Sequence, residues 1–84
     1  MASTHTQLLQ YPAIFSHDQK GGYNVSFPDL PGCVTFGETL NEAKEKAAEV
    51  LGLWLEELQD KGEAVPAATT DPIIGRVSVS IPAI

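Results

Sequence analysis

One stretch constrains the fold of this chain more than any other. Residues 39–62 (TLNEAKEKAAEVLGLWLEELQDKG) have the length and spacing of a single amphipathic helix of about six turns. Thr39, with Glu42 three residues later, has the form of a capping box, and Gly62 stands where a left-handed C-terminal cap is least costly. One helix face is apolar and must be buried against another element. Its residues are Leu40, Ala43, Ala47, Val50, Leu51, Trp54 and Leu58.

Short strands are the elements available to cover that face. The stretch before the turn cluster 17–22 is rich in β-formers, but it contains Pro12, which cannot donate a hydrogen bond to a neighbouring strand. The stretch after the cluster alternates apolar and polar residues, which favours a hairpin. A rigid loop at 28–32 (PDLPG) then leads into a third strand. The predicted strands are residues 8–16, 23–27, 33–37 and 73–81.

The predicted order, β-β-β-α-β, defines an α+β fold. We expect a three-stranded antiparallel meander plus a fourth strand, with one long helix packed on one face. Residues 1–84 are interpreted as one domain, with a flexible N-terminal tail at 1–7 and a surface connection at 63–72. The apolar residues Tyr11 and Ile14 indicate that the second sheet face is not wholly polar, so homodimerisation is a reasonable hypothesis.

The charge balance restricts the possible partners. Eleven acidic and five basic residues give a formal net charge of −6, and the basic residues are scattered. Because nucleic-acid affinity comes largely from cations that neutralise phosphates, this chain alone is not expected to bind nucleic acid directly. No apolar run approaches the ~20 residues that span a bilayer. The single cysteine, Cys33, cannot form an internal disulfide, so a reducing compartment, the cytoplasm by default, is expected.

Three motifs resemble one known family. They are YPAIF at residues 11–15, GYNVSFPDLPGC at 22–33 and TLxEA at 39–43. Together they are similar to the HicB-type antitoxins, and the resemblance covers residues 11–66. It implies a partial ribonuclease-H-like fold and a role in neutralising a small, basic, mRNA-cleaving toxin of the HicA type. Many such antitoxins also carry a C-terminal DNA-binding domain. This sequence ends soon after its last predicted strand, so it is either a short member without that domain or an incomplete one.

The sequence offers no catalytic or metal site. A ribonuclease-H-type centre needs carboxylates on the first strand, and residues 8–16 contain none. His5 and His17 lie in a tail and a turn without metal-ligand spacing, and Cys33 is interpreted as a small buried hydrophobe. The prediction is therefore a binding protein rather than an enzyme, with no cofactor and no metal.

Two surfaces are candidates for contact with a basic toxin. The first is the proline-stiffened loop, whose preorganisation lowers the entropy cost of binding. The second is the charged side of the helix, which also carries an apolar residue, Leu53. The candidates are Asp29, Leu30 and Pro31 in the loop, and Glu49, Leu53, Glu56, Glu57 and Asp60 on the helix. The alternative hypothesis is an orphan homodimer with a structural or regulatory role and no toxin partner.

Overall fold

A computed structural model describes residues 8–70, 72 and 74–83, and it has the expected α+β architecture. Within these residues, three strands form one antiparallel sheet in the order β1-β2-β3, and a single long helix packs on one face. This confirms the predicted meander and helix. The elements are β1 (Ile14–His17), β2 (Tyr23–Ser26), β3 (Val34–Gly37) and α1 (Leu40–Asp60).

The register of the sheet separates its two faces. Phe15, Val25 and Thr35 lie side by side across the three strands on the helix side. The adjacent row, Ile14, Ser26 and Val34, points to the open face because successive side chains alternate. Ile14 is 47 % exposed and Val34 59 % exposed. The open face is therefore partly apolar, as expected.

The helix begins and ends where the sequence predicts. The Thr39 hydroxyl accepts a hydrogen bond from the Glu42 N–H at 3.1 Å, and the Glu42 carboxylate accepts one from the Glu38 N–H at 3.2 Å. At the other end, Gly62 has φ +72° and the Glu63 N–H donates to the Leu58 carbonyl at 2.8 Å. This is a Schellman cap, which needs a left-handed residue at the glycine position.

We expect Thr39→Ala to destabilise the domain by about 1 kcal/mol, because the substitution removes the acceptor for an otherwise unpaired helix N–H. Thr39→Ser is the matched control, since serine keeps the hydroxyl and should lie within a few tenths of a kcal/mol of the parent protein. Urea unfolding followed by Trp54 fluorescence measures both. Equal destabilisation by the two variants would show that the threonine methyl group, rather than the cap, carries the effect.

The core lies between α1 and the sheet, and the residues just after β2 complete it. Ala43 and Ala47 are the buried helix residues, and their small side chains let the helix approach β3 closely. The other buried apolar side chains among the described residues come from β2 and from the loop that follows it: Val25, Phe27, Leu30 and Cys33. Cys33 is 0 % exposed, so the sequence interpretation of a buried apolar cysteine is confirmed.

Two predicted strands differ from the structure. The first begins at Ile14 rather than at residue 8, because Pro12 has no N–H to donate and the paired segment starts only beyond it. The predicted fourth strand, 73–81, does not form within residues 74–81, which have no regular structure and are exposed; residue 73 lies outside the described residues. A strand needs a hydrogen-bonding neighbour, and alternation of side chains does not supply one. The predicted tail, 1–7, also lies outside the described residues.

Candidate partner-binding surface

The predicted helix residues form one continuous surface. Glu49, Leu53, Glu56 and Asp60 recur every three or four residues, so they lie along one side of α1, and Glu57 borders them. All five are exposed, and they are here called the acidic helix surface. Leu53, 61 % exposed, lies in a shallow hollow that Glu56, Glu57, Asp60 and Lys61 complete. The structure therefore brings together all the residues predicted on the helix.

Charge is poorly balanced on the acidic helix surface. One ion pair occurs there among the described residues, between the Lys61 ammonium and the Glu57 carboxylate at 3.2 Å, and both side chains are more than half exposed. Glu56 and Asp60 stand four residues apart, a spacing at which like charges destabilise a helix by about 0.2–0.5 kcal/mol. A cationic partner would relieve this repulsion. Leu53 would give such a partner an apolar contact inside a ring of carboxylates.

The predicted loop residues, by contrast, are mostly engaged within the chain. Leu30 is 2 % exposed and belongs to the core, so its side chain cannot reach a partner, which corrects the prediction for that residue. The loop closes on itself through hydrogen bonds from the Leu30 N–H to the Phe27 carbonyl at 3.0 Å and from the Cys33 N–H to the Leu30 carbonyl at 2.9 Å. Only Pro31 of the three predicted loop residues is exposed.

Asp29 anchors the chain that leaves the helix. Its carboxylate accepts two hydrogen bonds from Thr69, one from the backbone N–H at 2.7 Å and one from the side-chain hydroxyl at 2.7 Å. The backbone bond and then the hydroxyl bond hold the pKa of Asp29 below its usual value. A second anchor joins the Tyr11 hydroxyl to the Pro66 carbonyl at 2.6 Å. The predicted surface connection is thus tied to the domain at two points.

We expect Asp29→Ala to speed hydrogen exchange at the Thr69 amide about tenfold, because the variant removes the acceptor that protects this N–H. Thr69→Ser keeps both donors, so exchange should stay near the parent rate. NMR-detected exchange at residue 69 measures both. Unchanged protection in Asp29→Ala would contradict the anchor.

The same anchor predicts a pH dependence. Folding lowers the pKa of Asp29 from the ordinary 3.8. The ionised Asp29 carboxylate therefore stabilises the folded state fully above the unfolded-state pKa, and this stabilisation is lost as the pH falls through the lower folded-state pKa. An NMR titration of the Asp29 carboxyl carbon should therefore have its midpoint below 3.8. A midpoint at or above 3.8 would mean that the Thr69 bonds do not persist in solution.

The described residues hold no other site of recognisable chemistry. Among residues 8–70, 72 and 74–83, no three His, Cys, Asp or Glu side chains come together as a metal-binding group. His17 is exposed and its ring lies 4.8 Å from that of Tyr23, a cross-strand contact. Burial raises the pKa of the Cys33 thiol, which disfavours the reactive thiolate. Within the same residues no helix is long and apolar enough to cross a bilayer.

These features define a small acidic α+β domain whose helix carries an exposed leucine bordered by carboxylates. Comparison with known proteins identifies its family: the HicB-like antitoxin of bacterial toxin–antitoxin systems matches residues 11–81. The chain belongs to this family. The resemblance carried by the YPAIF, GYNVSFPDLPGC and TLxEA motifs is thereby confirmed.

Individual relatives differ in how much of their length the chain covers. It is 34 % identical to a UPF0150 protein of Thermoplasma acidophilum, over 77 % of this chain and 94 % of the relative. It is 38 % identical to Antitoxin HicB 1 of Photorhabdus laumondii over 69 % of this chain, and 44 % identical to Antitoxin HicB of Escherichia coli K12 over 51 %. The chain spans only 37 % and 31 % of those two antitoxins.

Proposed function

We propose that this chain is an antitoxin that binds a small, basic, HicA-type mRNA-cleaving toxin and covers its active or RNA-binding surface. The observation that carries the proposal is the acidic helix surface, an exposed leucine bordered by carboxylates, in a chain of the HicB-like family. Complementary charge speeds encounter and fixes orientation, and an apolar contact at the centre of an interface contributes much of the affinity.

On this proposal the chain acts by binding and not by catalysis. It works in the cytoplasm, where mRNA is cleaved, as one HicB-like domain over residues 1–84 with the partial ribonuclease-H-like fold that the family resemblance implies. Its net charge of −6 disfavours direct contact with DNA or RNA, so we expect it to act on nucleic acid only through its partner. No cofactor or metal takes part.

The first test is to purify a tagged copy from its native cells and weigh what accompanies it. We expect a stoichiometric small basic protein that is released by high salt, because exposed charge pairs are screened. That protein should cleave mRNA alone, and it should lose this activity when the antitoxin is added in excess. If the companion kept its full activity in excess antitoxin, the proposal would be refuted.

A second function is favoured by a separate observation. Ile74, Val77, Val79 and Ile81 are each more than three-quarters exposed, which is costly in an isolated chain and favours self-association. The alternative is therefore an orphan homodimer with a structural or regulatory role. It predicts that the tagged protein emerges from its native cells as a dimer with no basic companion.

A further inference from the structure

Residues 74–81, here called the C-terminal segment, have the pattern of a strand but pair with no strand among the described residues. Val77, Val79 and Ile81 alternate with Arg76, Ser78 and Ser80. The three apolar residues are 95, 82 and 78 % exposed, so residues 8–70 leave them uncovered. A row of apolar side chains on one face of an extended segment is typical of a strand that lies against a core.

The C-terminal segment is part of the domain rather than an unrelated extension. The match to the HicB-like family runs through residue 81 and therefore includes it. The start of the C-terminal segment is also held near the domain, because the hydrogen bonds between Asp29 and Thr69 fix residue 69 against the loop at 28–32. From there to residue 74 an extended chain reaches at most about 18 Å. The segment can therefore leave the domain by a short arm.

We propose that the C-terminal segment of one copy adds as a strand to the outer edge of β1 in a second copy, and that the second copy returns the same contact. The proposal rests on the homodimer put forward above and names its interface. Addition of a strand gives the unpaired N–H and C=O groups of an edge their hydrogen-bond partners. A twofold axis makes the two exchanges equivalent and closes the assembly at two copies.

The edge of β1 suits an apolar strand better than that of β3. Among the residues that the structure describes, the outer sides of β1 and β3 are both unpaired, but α1 packs mainly on β3 and less on β2. The helix-side surface over β1 is therefore the least covered, and Phe15 lies there half-buried. A strand added beside β1 would place Val77 and Val79 next to Phe15 and turn Ser78 towards the opposite face.

Charge favours the C-terminal segment as the contact between two copies. Each chain carries a net charge of −6, so a contact through two acidic helix surfaces would set like charges against each other. Arg76 is the single charged residue in positions 74–81. Exchange of this segment buries apolar side chains without bringing carboxylates together. A second copy is thus the occupant that fits this edge.

The test uses the full chain alone and two matched double variants. Sedimentation equilibrium should show a dimer for the parent protein. Val77→Asp with Val79→Asp places charges on the apolar row and should raise the dimer dissociation constant about 100-fold or more. Ser78→Asp with Ser80→Asp adds the same charge to the other row of side chains and should change the dimer dissociation constant less than about tenfold. A monomeric parent protein, or equal effects from the two variants, would overturn the proposal.

A mixed sample of isotope-labelled and unlabelled chains identifies the edge. Isotope-filtered NMR should show contacts between residues 76–80 of one copy and β1 of the other. Contacts to β3, or contacts confined to one copy, would overturn the assignment.

The toxin plays no part in these measurements. If the valine double variant is monomeric but still inhibits the toxin, the exchanged strand is supported and the antitoxin proposal is unaffected. If the protein remains a dimer but does not inhibit the toxin, only the antitoxin proposal is contradicted.

Discussion

Gly37→Ala is expected to destabilise the domain by about 3 kcal/mol or more, the largest effect on folding of any change considered. Gly37 is the last residue of β3 and lies buried under the first turn of α1. A Cβ atom there would stand 2.5 Å from the Cα of Ala43 and 2.9 Å from its Cβ. Contacts with backbone atoms cannot be relieved by a change of side-chain rotamer. The helix would have to move away from β3, where much of the core is formed.

Gly52→Ala is the matched control and should have the opposite sign. Gly52 lies inside α1 and is exposed, and no atom of the described residues outside the helix backbone lies within 4 Å of the position of an added Cβ. Alanine there should stabilise the domain by about 0.5–1 kcal/mol, because glycine loses more backbone entropy in a helix. Urea unfolding followed by Trp54 fluorescence measures both variants. Similar stabilities for the two would mean that α1 does not approach β3 as closely as described.

Replacing these two glycines by alanine is expected to change the free energy of unfolding in opposite directions, which shows what the sequence alone can and cannot predict. A glycine inside a helical pattern is recognisable as costly, and the two ends of α1 are predictable because Thr39 and Gly62 act on neighbouring backbone groups. The close approach of Gly37 to Ala43 depends on how the helix crosses the sheet. No local pattern specifies that crossing, so the glycine with the larger effect is visible only in the structure.

The prediction of a fourth strand at 73–81 is wrong for a related reason. Alternation of Val77 and Val79 with serines is typical of a strand, but a strand exists only where another strand pairs with it. The loop shows the same limit on a smaller scale. Asp29 is predicted as a contact for a basic partner, whereas in the structure its carboxylate bonds to Thr69, which lies 40 residues further along the chain. The acidic helix surface, by contrast, follows directly from helical periodicity.

If the chain acts as the proposed antitoxin, Glu56→Lys is expected to weaken binding of its basic partner about 30-fold. The substitution reverses a charge beside Leu53, and a buried or bordering charge mismatch at an interface costs about 2 kcal/mol. Glu38→Lys is the matched control, since Glu38 is also exposed but precedes α1, at the end remote from the acidic helix surface. It changes the net charge equally and should weaken binding less than about threefold. Calorimetric titration with the companion isolated from native cells measures both.

Leu53→Ala separates the apolar contribution from the electrostatic one. We expect about a tenfold loss of affinity, because in the proposed complex the exposed leucine is the apolar contact at the centre of the acidic helix surface. Raising the salt concentration should shrink the effect of Glu56→Lys, since exposed charges are screened, and should leave that of Leu53→Ala nearly unchanged. Equal losses of affinity from Glu56→Lys and Glu38→Lys would mean that the charge acts only by long-range electrostatic steering. Full affinity in Leu53→Ala would mean that the proposed toxin binds a different face of the domain.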